Sequence, residues 1–140
     1  MAGFPCWWWP VERLTPGFCG LFSCVKTILG VDPGTRVAGY GVVRVAGRQM
    51  EAVSFGVFRG PASADLPSRL ARVYEGLVEV IDRHEPDVMV VEQVFGGKNI
   101  QSALKLGEAR GVILLCAARA GVPIVEYAPS TIKKSVAGGG

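Results

Sequence analysis

The stretch Ile28-Leu29-Gly30-Val31-Asp32-Pro33-Gly34-Thr35-Arg36-Val37-Ala38-Gly39-Tyr40-Gly41-Val42-Val43 decides the fold. It opens with a short apolar run, the mark of a strand buried on both faces. The run ends on a carboxylate, Asp32, followed at once by Pro33-Gly34. Pro33 fixes its own φ and Gly34 admits φ > 0, which predicts a turn directly after Asp32. A second strand of Val, Tyr and small residues follows. An acid at the mouth of a buried central strand lies where α/β sheets hold ligands. Asp-Pro-Gly is also ordinary turn chemistry, so this stretch alone reads equally as a functional acid and as a turn former.

Outward from it, the patterns are regular. Strand one covers about 28–32 and strand two about 37–45. The Ala46-Gly47-Arg48-Gln49 turn leads into strand three, where Val53, Phe55 and Val57 alternate with Ala52, Ser54 and Gly56. Period two across a short turn predicts an antiparallel meander. Leu66, Leu70, Val73, Leu77 and Val80/Ile81 are spaced for one face of a helix over about 66–84. Asp65 suits its N-cap and Pro67 its first turn, and Glu85-Pro86-Asp87 stops it.

Val88-Met89-Val90-Val91 is then a buried strand that also ends on an acid, Glu92. The helical crossover before it makes it parallel to an earlier strand. A loop over 93–99 leads to a second helix, about 100–120, whose Ala103, Gly107 and Gly111 predict close helix packing or a dimer interface. Pro123 to Tyr127 reads as a fifth strand and Ser130 to Val136 as the start of a short helix. This order is that of a ribonuclease-H-like α/β domain, a mixed five-stranded sheet flanked by helices. Its first and fourth strands are neighbours, which would set Asp32 beside Glu92.

Composition agrees with a folded domain. The 140 residues are 49% hydrophobic and 19% charged, which excludes a disordered chain. The formal charge of +3 is too mild to argue a nucleic-acid partner unaided. Cys6, Cys19, Cys24 and Cys116 lack the paired short spacings of a zinc site, and a reduced, cytoplasmic setting is the default. No stretch reaches the ~18 apolar residues of a membrane span. Residues 1–24 do not match the rest: they hold Trp7, Trp8 and Trp9, the prolines Pro5, Pro10 and Pro16, and neither helical nor strand period. They lack the order of a signal peptide and read as an extension outside a domain at 25–140.

Val31-Asp32-Pro33-Gly34-Thr35-Arg36, Gly39-Tyr40-Gly41-Val42, Leu66-Pro67-Ser68-Arg69-Leu70, Glu92-Gln93-Val94-Phe95, Lys98-Asn99, and Ser102 to Gly107 with Ala109-Arg110-Gly111 together resemble the RuvC family. These are crossover-junction endodeoxyribonucleases that resolve Holliday junctions. The resemblance covers about residues 26–138. It implies a homodimer that cuts opposed strands of a four-way DNA junction with Mg2+, for which Mn2+ substitutes. It also implies as partners a junction-binding tetramer and a branch-migration motor.

The family has four catalytic carboxylates. Asp32 matches the first and Glu92 the second, as catalytic and metal-binding residues. The other two lie in an Asp-x-x-Asp-Ala stretch on a C-terminal helix that is missing here, since no Asp or Glu follows Glu126. Two metals ~4 Å apart activate the attacking water and stabilise the leaving oxygen in such hydrolysis. Asp32 would bridge both and Glu92 would bind one, so DNA binding is the firmer expectation and cutting the weaker. At the other end, Val25 to Gly30 would be an ordinary family start if Val25 were an initiating GTG codon read as Met.

The resemblance also assigns DNA contacts. Phe95, on a Gly-flanked loop beside Glu92, matches an aromatic that stacks on junction bases, a contact worth ~1–3 kcal/mol per base. Lys98, Lys105, Lys133 and Lys134 read as phosphate contacts, and Arg110 equally as a contact or a solvated side chain. His84 reads as structural, suited to a helix C-terminus. Gly39-x-Gly41 is too short for a nucleotide fingerprint. Three competing functions remain: a phosphotransferase of the actin and sugar-kinase type, which also carries Asp-x-Gly-Thr after its first strand; a catalytically silent junction-binding module; and a relative acting on RNA.

Overall fold

The computed structural model describes residues 25–61, 63–93 and 100–127. They form a five-stranded sheet and two helices: β1 (Val25–Asp32), β2 (Val37–Ala46), β3 (Gln49–Arg59), α1 (Leu66–His84), β4 (Val88–Glu92), α2 (Ile100–Ala120) and β5 (Ile124–Tyr127). The strand order is β3-β2-β1-β4-β5. β1, β2 and β3 are the expected antiparallel meander, and β4 lies parallel to β1 as its helical crossover requires. β5 extends the sheet, parallel to β4. The short helix expected at 130–136 lies outside the described residues.

Strand alternation sorts the sheet into two unlike faces. Leu29 and Val31 of β1, Ala38 and Val42 of β2, and Met89 and Val91 of β4 point to one face and are buried. Both helices cover that face. α1 contributes Val73, Leu77, Val80 and Ile81, and α2 contributes Ile113, Cys116 and Ala117 to the same core. Each such aliphatic side chain contributes roughly 1.5–3 kcal/mol by leaving water. On the opposite face, Phe55 and Val57 of β3 are 83% and 52% exposed. The alternation anticipated in β3 holds for Phe55 and Val57, whereas Val53, at the bulge, packs with Phe58 against the core. A bulge at Val42/Val43 resets the β2–β3 register.

Close contacts fix the helical layer. The Tyr40 and Phe58 rings stack with centroids 4.9 Å apart. Phe58 lies against α1 at Gly76, where a Cβ would come within 2.4 Å of the ring. α1 begins as expected: the Asp65 carboxylate accepts a hydrogen bond from the Ser68 N–H at 3.0 Å. It ends with Glu85 in the left-handed region at φ 44°, its N–H donating to the Ile81 carbonyl.

Two expectations are corrected. Gly34 does not take a positive φ, which among the described glycines is confined to Gly47 and Gly121. The chain bends at Thr35–Arg36 rather than directly after Asp32. Gly34 is needed for closeness instead: a Cβ there would lie 2.0 Å from the Val37 carbonyl oxygen. The small-residue stripe of α2 is also not the face that packs within this chain. Ala109, Ile113, Cys116 and Ala117 are buried, while a Cβ on Gly107 or Gly111 would touch nothing within 4 Å. An i, i+4 glycine repeat shows that close approach is allowed, not that a neighbour is there.

Candidate active site at the ends of the central strands

β1 and β4 run in register, with Val31 paired to Val91. One residue further, each strand finishes on its acid, Asp32 and Glu92. Neighbouring strands stand about 4.8 Å apart, so the two carboxylates rise side by side from one sheet end. Both lie on the face that the helices do not cover, where they line a cavity of about 590 Å³ with Gly30, Gly39, Gly41, Phe55 and Val90. Glycine leaves this surface low: a Cβ on Gly41 would meet nothing within 4 Å, and one on Gly39 would lie 3.8 Å from Asp32 Cβ. Asp32 is exposed and Glu92 half-buried.

No hydrogen bond or ion pair engages either carboxylate among the described residues. Two adjacent anions without a cation are suited to hold one. Their hard oxygens fit Mg2+, which often takes only one or two carboxylates and completes its octahedron with water and phosphate oxygens. Among the described residues there is no group of three or more His, Cys, Asp or Glu around one point. The described donor set is therefore this pair.

The remaining residues singled out from the sequence separate into three groups. Lys105 is exposed on α2, as a phosphate contact requires. Phe95, Lys98, Lys133 and Lys134 lie outside the described residues. Arg110 forms an ion pair with Glu126 of β5, with both side chains about one-third exposed or less, which favours a structural role over a DNA contact. His84 sits in the last turn of α1, and Gly39 and Gly41 are strand residues. Cys116 is buried and free, and burial pushes its thiol pKa up, so it is unreactive. No described helix is long and apolar enough to cross a membrane. One feature of this sheet end went unmarked in the sequence: Arg36, Arg59 and Arg69 converge beside it. Positions 36, 59 and 69 share no spacing, and only the pairing of β3 with β2 and the packing of α1 on β3 bring them together.

A β3-β2-β1-β4-β5 sheet with an acid pair at the ends of its two central parallel strands defines a ribonuclease-H-like nuclease domain. Comparison with known proteins narrows the class. The chain belongs to the crossover junction endodeoxyribonuclease RuvC family, whose model matches residues 28–140. Over 113 residues, 81% of this chain, it is 53% identical to the crossover junction endodeoxyribonuclease RuvC of Proteus mirabilis and 50% identical to that of Dehalococcoides mccartyi. It spans 65% and 68% of those two proteins, about two thirds of their length. It also superposes on Thermus thermophilus RuvC solved with a Holliday junction substrate, with a TM-score of 0.76 and 32% identity, covering 82% of this chain and 70% of that one.

Proposed function

We propose that this chain is a Holliday junction resolvase domain, which binds four-way DNA junctions and hydrolyses a phosphodiester with a divalent cation, Mg2+ or Mn2+. The observation that carries the reading is the unpaired Asp32–Glu92 couple at the end of β1 and β4. Family membership of residues 28–140 gives it context, as does the junction held by the Thermus relative.

Asp32 and Glu92 would hold the cation, which would supply a polarised water and a counter-charge for the reacting phosphate. The protein's own contribution is placement. Paired strands keep both carboxylates on rigid backbone, and the glycines around them let a nucleic-acid backbone approach. Phe95, Lys98, Lys105, Lys133 and Lys134 are assigned to base stacking and phosphate contact by the family motif, and the exposure of Lys105 agrees.

Homodimerisation belongs to the same proposal. On α2, Ile100, Leu104 and Leu115 are 76%, 63% and 57% exposed and share a helical stripe with Gly107 and Gly111. An apolar stripe of that kind calls for a partner surface, and a second copy suits a substrate with two opposed strands. Residues 1–24 are assigned outside the domain, in keeping with a family match that begins at 28. The setting is cytoplasmic, and the partners are the junction-binding and branch-migration proteins of the family.

A second reading, a silent junction-binding module, is favoured by the described donor set's having only two carboxylates. The test compares a four-way junction with linear duplex of the same sequence, in Mg2+ and in EDTA. Preferential binding with Mg2+-dependent nicking supports the resolvase, and binding without nicking supports the silent module. ATP binding in place of junction binding would point to the phosphotransferase instead.

A further inference from the structure

The Asp32–Glu92 pair shares its sheet end with a second, oppositely charged feature. Arg36, Arg59 and Arg69 line a cavity of about 450 Å³ together with Val37, Gly60 and Pro61, and among the described residues no carboxylate lies in its wall. The three come from different elements. Arg36 ends the β1–β2 connection, Arg59 is the last residue of β3 and pairs with Val37, and Arg69 is in the first turns of α1. Gly60 makes room for Arg69, since a Cβ there would lie 2.8 Å from Arg69 Cγ.

Pairing separates Arg36 and Arg59 from Arg44, Arg72 and Arg110. Arg44, Arg72 and Arg110 each face a glutamate, and the cavity lined by Arg72 and Arg83 also carries Glu75 and Glu79. Arg69 Nε donates to the Asp65 main-chain oxygen at 3.4 Å. Arg36 and Arg59 have no hydrogen-bond or ion-pair partner among the described residues. Guanidinium groups that line one cavity, with the Asp65 carboxylate near Arg69 alone, make a multidentate anion site, the arrangement that suits phosphate oxygens.

We propose that Arg36, Arg59 and Arg69 form a phosphate-binding site for the nucleic-acid backbone, separate from the Asp32–Glu92 pair and anchoring the strand that runs across it. This rests on the resolvase reading for the identity of the polyanion, but the anion site itself does not. β3 lies two strands from β1, so Arg59 is offset about 10 Å from Asp32 along the sheet end. At about 3.4 Å of axial rise per nucleotide, that corresponds to roughly three nucleotides of one strand. The arginines would thus grip a phosphate that is not cut and fix the register of the one that is.

The test has two arms. In the first, binding of a four-way junction is measured against salt for the wild type, Arg36→Gln, Arg59→Gln and Arg59→Lys. Arg48→Gln, in the exposed turn at the opposite sheet end, is the control. Arg36→Gln and Arg59→Gln should each flatten the log K against log [salt] slope by about 0.9, the release of one phosphate's counterions. Arg59→Lys should keep the wild-type slope, and so should Arg48→Gln. In the second arm, the arginine Nε–H resonances of the wild type are followed while inorganic pyrophosphate is added. Those of Arg36 and Arg59 should move, and that of Arg48 should not. Unchanged slopes in Arg36→Gln and Arg59→Gln, or pyrophosphate shifts spread equally over all arginines, would overturn the site. If the wild type fails to prefer the junction while pyrophosphate still moves Arg36 and Arg59, the anion site stands and the resolvase reading falls.

Discussion

Asp32 and Glu92 occupy matching positions on adjacent parallel strands, each one residue beyond the paired Val31 and Val91. Two carboxylates held this way by backbone pairing need no loop ordering before they can bind a cation. Substoichiometric Mn2+ should therefore broaden the amide resonances of residues 30–32 and 91–93 first, and Asp32→Asn should abolish the effect. Broadening centred on another part of the sheet would count against the pair.

Phe58 and Gly76 make a stability prediction. The Phe58 ring is pinned between Tyr40 and the helix backbone, so Gly76→Ala cannot be absorbed by a simple ring rotation. Urea denaturation should show a loss of about 1–3 kcal/mol, the usual cost of overpacking. Phe58→Leu should recover part of that loss in the double variant, because the two changes share one space.

Asp65 gives a dependence on pH. The hydrogen bond from Ser68, aided by the nearby Arg69, holds its carboxyl below the ordinary range, while the unfolded chain keeps the ordinary value. A folded pKa that is depressed stabilises above the unfolded value and loses that contribution as pH falls through the folded one. Stability of the wild type should thus decline relative to Asp65→Asn, which caps without titrating, from about pH 4 downward. Parallel stability curves between pH 6 and pH 2 would show that this cap is not coupled to protonation.

The outer stripe of α2 predicts assembly. Leu104→Glu leaves the buried face of Ala109, Ile113, Cys116 and Ala117 untouched. Sedimentation should show a dimer for the wild type and a monomer for the variant, with the thermal midpoint of the monomer's own fold little changed. A wild-type monomer at tens of micromolar would remove the stripe from the dimer interface.

Much of the fold could be read from local chemistry. α1 announces itself twice, by apolar spacing from Leu66 to Ile81 and by Asp65 and Pro67 at its start, and its bounds match. β4 is a continuous apolar run, the pattern of a strand buried on both faces, yet the helices cover only one: Met89 and Val91 are buried and Val88 and Val90 half-buried. Its acid, Glu92, was legible for the same reason as Asp32: both interrupt an apolar strand at its last residue. What the sequence left open depends on contacts between distant residues. The requirement for glycine at position 34 comes from the Val37 carbonyl, not from its own φ. Which stripe of α2 is buried depends on where α1 lies. The arginine cluster exists only because β3 and α1 meet at the start of β2.

The most direct test of the central claim is cleavage of a four-way junction in Mg2+ by the wild type and by Asp32→Asn. The account predicts nicking by the wild type and a fall on the order of 100-fold or more in the variant, the scale of losing one group that stabilises transition-state charge. Junction affinity should stay within a few-fold, since Asp32 makes no contact that holds the fold. An Asp32→Asn protein that cuts at the wild-type rate, or a wild type that binds the junction and never cuts it, would contradict the claim.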